Sequence, residues 1–269
     1  MLCSTCGRRP VVPGTAGCTR CTVLHSSPPG ALMAPLPPPG AEGLYRLRSP
    51  RGLAVAVVAL LAAVAAADLL AVVSEVNLLR VYRDSEGSFV VLDGLRTAEN
   101  LDTVATSLQI LTNLATAVVF LVWFHRVRRN AEVFDAGAQP MKPGWAIGAW
   151  FVPIANLWLP RRVAGGIWEA SVLPGGGPGR RADSPLVLNL WWGVWIFDLV
   201  FGRFASRQYT DAVVAEDIVE GLRLLLVSDA LDAVAAVLAI LFVRRLTAMQ
   251  GERATALAAQ VSSGGPVPA

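Results

Sequence analysis

The order of apolar and polar positions divides the chain into a polar front, four long apolar stretches and one interrupted stretch. A helix needs about 20 apolar residues to cross the hydrocarbon core of a bilayer. Gly52–Val73 meets this with Asp68 as its only charge, and Val104–Phe124 meets it with none. Leu186–Gly202 is slightly short and carries Asp198, while Leu224–Val243 carries Asp229 and Asp232. A fifth run, Gly144–Leu159, has Pro153 inside it, Pro160 after it, and then Arg161 and Arg162. Proline removes a helical hydrogen bond that lipid cannot replace, so this run predicts a re-entrant or interfacial segment, with a kinked fifth crossing as the alternative. Trp145, Trp150, Trp158 and Trp168 suit the headgroup level. The fold class is therefore an all-α polytopic membrane protein with four transmembrane helices.

Basic residues orient it, because cytoplasmic flanks collect Lys and Arg. With four crossings and the N-terminus inside, 17 basic residues lie inside and 6 outside. A fifth crossing makes the split 13 against 10. The four-crossing arrangement is favoured, with a cytoplasmic N-terminus. Residues 75–103 and 207–220 then form acidic outer loops containing Glu75 and Asp102.

Composition agrees. The chain has 269 residues, 54% hydrophobic and 16% charged, with mean hydropathy +0.52. Soluble domains carry about 25% charged residues. The net charge of +3 gives no reason to expect nucleic acid as a partner.

The polar front contains all four cysteines. Residues 1–44 have no apolar run and do not read as a signal peptide. Cys3-x-x-Cys6 and Cys18-x-x-Cys21 are two knuckles of the kind that place four thiolates around one structural Zn2+. Two disulfides are the competing reading, disfavoured in a reducing cytosol. His25 could replace one ligand but reads better as a bystander. Arg8, Arg9 and Arg20 keep such a knob soluble. The predicted boundaries are a ribbon at 1–24, a linker rich in proline and glycine at 25–50, a membrane domain at 51–248 and a disordered tail at 249–269.

Intramembrane carboxylates are costly and raise a functional hypothesis. Asp229 and Asp232 share a helix face, as do Trp191, Trp195 and Asp198. Thr106, Gln109, Asn113 and Thr116 form a polar stripe on the second apolar helix. Asp68, Gln109, Asn113, Asp198, Asp229 and Asp232 are thus the predicted intramembrane polar cluster, facing the centre of a closed bundle. Proton or cation handling and interhelical hydrogen bonding both explain such a cluster. Arg203 and Arg223 are candidate partners for its charges. Ala59, Ala63 and Ala67 form a small-residue ridge suited to close packing. His125 to Arg129, with Arg161 and Arg162, reads as a topological signal that could also hold anionic headgroups. No phosphate loop, dinucleotide fingerprint or nucleophile–base pair occurs, so no enzymatic activity is expected.

Four segments carry a resemblance. They are AVVFLVWFHRVRRN at Ala117–Asn130, GWAIGAWFVPIANLWLPRRVAGGIWEAS at Gly144–Ser171, NLWWGVWIFDLVFGR at Asn189–Arg203 and SDALDAVAAVLAILFVRRLTAMQ at Ser228–Gln250. The chain resembles the actinobacterial membrane family known as domain of unknown function 4328. The resemblance implies a bacterial plasma membrane and a multi-pass bundle, and it supplies no catalytic residues. The first functional expectation is a scaffold or sensor whose ribbon binds a cytosolic partner. The second is a small transporter or channel-like protein using the carboxylates.

Overall fold

The computed structural model describes residues 47–84, 92–139, 141–173 and 184–263. The predicted ribbon and Pro/Gly linker, except residues 47–50, lie outside them, as does the glycine run Gly175–Gly179. The described residues are helical and contain no strand. We label the longer helices α1 (Arg51–Asp84), α2 (Leu92–Phe134), α3 (Leu159–Ser171), α4 (Leu186–Thr210) and α5 (Ala215–Ser262). Among these, α1, α2, α4 and α5 are long and apolar enough to cross a membrane.

Each exceeds its apolar stretch. At 1.5 Å per residue, the 48 residues of α5 extend for about 70 Å, far beyond a bilayer core. Two expectations change as a result. The chain from Gly251 to Ser262 is helix, not irregular tail, because its alanines favour helix and Val261 is buried. Glu75 and Asp102 lie on α1 and α2, not in a loop.

In α1 the buried positions run Ala54, Val57, Leu61, Val64, Asp68, Ala71, Glu75 and Leu78. Their alternating spacing of three and four is the seam of a left-handed helix pair. Val55, Leu69 and Val73 face outward. The expected alanine ridge is not that seam, since Ala59 is exposed and only Ala67 is buried. The seam follows from which residues lie opposite α2 and α5, not from residue size alone.

Helix α1 packs along both α2 and α5, and α5 packs along α4. Among the described residues, α2 and α4 do not pack along one another. The bundle is therefore open on one side, which corrects the expected closed centre. Part of that gap is filled by the Trp/Pro-rich segment. It forms a helical turn at Trp145–Gly148, a 3-10 turn at Ala155–Leu157, and then α3.

Both ends of this segment meet the same end of the bundle. Arg128 of α2 donates to the Met141 carbonyl, and Gln139 donates to the Gly166 carbonyl on α3. Between these points Trp150 reaches back to Phe120 and Phe124 on α2 and to Trp192 and Trp195 on α4. The segment folds back as a hairpin, and its prolines break it into turns too short to span a bilayer core. Trp145 and Trp158 are exposed, but Trp150 and Trp168 pack inward, because the gap needs large rings to fill it.

The hairpin tip is strained. Ile154 has φ 64° and ψ −50°, and the Ala155 N–H donates to the Pro153 carbonyl at 2.6 Å. This is a γ-turn, with a β-branched residue where glycine fits best. Ile154→Gly is expected to raise stability by about 1 kcal/mol. A thermal melt lowered by the change would contradict the strain.

Candidate functional site: the intramembrane carboxylate cluster

The predicted polar residues lie on four helices and meet partway along the bundle. Gln109 Nε2 on α2 donates to Asp68 Oδ1 on α1 at 3.1 Å. Asp229 on α5 lies beside Gln109. One turn further along α2, Asn113 lies beside Asp232, one turn further along α5. Ser228 Oγ donates to Asp198 Oδ1 on α4 at 2.9 Å. Gly202 permits that approach, since a Cβ there would stand 2.7 Å from Ser228 Oγ. The stripe on α2 is not wholly internal. Gln109 and Thr116 turn inward, whereas Thr106 is exposed and Asn113 is exposed along the open side.

Two carboxylates extend the cluster. Glu75, only 4% exposed, lies two turns after Asp68 on the same face of α1. Asp102 accepts a hydrogen bond from Ser74 Oγ at 3.0 Å. The signal for Glu75 was its seven-residue spacing from Asp68. It was hidden because the apolar window ends at Val73.

Charge balance sets the character of the site. No Arg or Lys among the described residues forms an ion pair with Asp68, Asp198, Asp229 or Asp232. Arg223 pairs with Glu220 at 3.0 Å, and Arg203 is exposed, so neither serves the cluster as expected. Asp68 Oδ2 and Glu75 Oε2 are buried without a hydrogen-bond partner among the described residues. Gathering several carboxylates in an apolar setting without a basic counter-charge is costly.

Beside the cluster lies a cavity of about 270 Å³. Its floor is Leu61 and Val64 of α1 with Ala235 and Ala239 of α5. Its walls are Phe120, Trp150, Trp191 and Trp195, and its polar end holds Asn113, Thr116 and Asp232. Among the described residues, no group of His, Cys, Asp and Glu is arranged to hold a metal ion. Cys3, Cys6, Cys18 and Cys21 lie outside those residues.

A second polar group braces the opposite, basic end, and the sequence reading missed it. Gln250 Nε2 donates to the Val127 carbonyl at 2.8 Å, and Gln250 Oε1 accepts from Asn130 Nδ2 at 3.1 Å. Asn130 Oδ1 accepts from the Arg48 backbone N–H, and Asn130 Nδ2 donates to the Arg48 carbonyl. Gln250 also reaches Ser171 Oγ at 3.4 Å, which ties α3 to α5. Removing one partner of a buried set leaves the others unsatisfied. Gln250→Ala is therefore expected to cost about 2 kcal/mol of unfolding free energy. A shift in thermal midpoint too small to resolve would show that the clamp is not needed. Beside it, the Arg161 guanidinium donates to Asn189 Oδ1, which joins the start of α3 to α4. Burial pushes the Arg161 pKa down, partly offset by Glu169.

A family model described as Domain of unknown function (DUF4328) matches residues 86–248. No curated protein and no solved structure matches the chain.

Proposed function

Because the chain belongs to the family described as Domain of unknown function (DUF4328), whose activity is unassigned, we propose a function from the carboxylate cluster itself: a small transporter or channel-like protein that passes protons through it. One observation carries this reading. Asp68, Asp198, Asp229 and Asp232 come from three apolar helices, three of them lie beside Gln109 and Asn113 of a fourth, and none has an Arg or Lys ion-pair partner among the described residues. A seam used only for packing gains nothing from several acids where two amides would do. Carboxyl groups that can each bind and release a proton, gathered inside an apolar bundle, are a route along which protons can step. The basic end faces the cytoplasm of a bacterial plasma membrane in this proposal, on the strength of the Lys/Arg distribution.

The test is flux. Full-length protein in liposomes with an imposed pH gradient and a potassium-clamped potential should collapse that gradient faster than protein-free liposomes. Equal rates would overturn the proposal.

A scaffold or sensor working through a cytosolic ribbon is the second reading, favoured by the two Cys-x-x-Cys pairs. Four thiolates at this spacing hold one structural zinc and need it to fold. Purified protein is expected to carry about one equivalent of zinc, lost when Cys18 and Cys21 become serine. Metal content unchanged by that double substitution, measured by plasma emission, would refute the site.

A further inference from the structure

The cavity beside the cluster has a composition that selects its occupant. We infer that it binds a lipophilic organic monocation, which enters sideways through the open face between α2 and α4. This inference rests on the transporter reading and names its substrate class.

The walls are aromatic. Phe120 meets Trp150 at 5.6 Å and Trp191 at 5.8 Å between ring centroids, and Trp150 meets Trp195 at 5.6 Å. Ring faces attract cations, most strongly when the site is dry. At the end of this aromatic box stands Asp232, beside Asn113. Near it on α1 stands Asp68, whose buried Oδ2 has no hydrogen-bond partner among the described residues. A cation at Asp232 would relieve the crowding of negative charge that the described residues leave uncompensated.

Size and access agree. An apolar cavity of about 150 Å³ takes benzene, so about 270 Å³ takes one ring or branched alkyl group with a small charged head. Phe151 lines this cavity and is 70% exposed, so the mouth suits lipid. A lipid acyl chain is the competing occupant. It would leave Asp232 and Asn113 against hydrocarbon with no counter-charge.

The probe is phenyltrimethylammonium, added to the full chain in lipid nanodiscs and followed by equilibrium dialysis. Saturable binding is expected, weakened at least tenfold by Asp232→Asn and restored by Asp232→Glu, while uncharged tert-butylbenzene competes poorly. Absence of saturable binding, equal competition by the uncharged compound, or an Asp232→Asn variant that binds like the parent would overturn the inference. The two ideas separate cleanly. Cation binding without proton flux would sink the carrier reading and leave this site standing. Proton flux without cation binding would do the reverse.

Discussion

Replacing Asp229 and Asp232 together with asparagine is expected to cut proton flux in liposomes at least tenfold while leaving the fold intact. The size follows from what is removed. Both side chains keep their shape and can still accept hydrogen bonds from neighbouring amides. They lose the only thing a proton path needs, a group that binds and releases a proton. Stability should stay level or rise, because two of several crowded acids have been neutralised. A bundle that used these residues only for packing would behave in the opposite way. Flux would be unaffected, and the thermal midpoint would fall with the weakened interhelical hydrogen bonds. The two accounts thus make opposite predictions from one double variant.

The second large effect concerns the hairpin. Trp150→Ala is expected to cost about 3 kcal/mol of stability and to expose residues 145–158 to protease. Trp150 contacts Phe120 and Phe124 on one side and Trp192 and Trp195 on the other, at centroid distances of 5.6 to 6.1 Å. With the direct Phe120–Trp191 contact, it joins α2 to α4 where those helices do not pack along each other. Aromatic pairs contribute about 0.5–1.5 kcal/mol each beyond area, and the lost volume adds a cavity. Trp150→Phe should retain most of the stability. A loss under about 1 kcal/mol for the alanine variant would mean that the hairpin is held elsewhere, through Trp168 or α3.

Much of this arrangement was legible in the chain because lipid imposes simple demands. Length and apolarity fixed the number of spanning helices, and Pro153 and Pro160 marked the segment that could not be one. The polar residues on those helices were countable for the same reason, since each is an exception in an apolar run. The openness of the bundle was not legible. Helical periodicity says that Asp68 and Leu61 share a face, but not which neighbour covers it. Glu75 was read as a loop acid because hydropathy alone cannot tell a helix that continues past the headgroups from one that stops. Trp150 and Trp168 were assigned to the interface on residue type, whereas the gap between α2 and α4 draws them inward. Gln250 sat at the edge of an expected tail. Its role appears only once Asn130, 120 positions earlier, is seen beside it.

Everything in this account depends on the bundle crossing a membrane four times, with the hairpin entering and leaving on one side. Single cysteines at Ala136, Glu169 and Val213, each exposed and each placed in a chain whose native cysteines are serine, test this directly. A membrane-impermeant maleimide applied to right-side-out and inverted vesicles should label positions 136 and 169 from the same side and position 213 from the other. Labelling of 136 and 169 from opposite sides would make the hairpin a crossing and would contradict the architecture on which the carboxylate path is built.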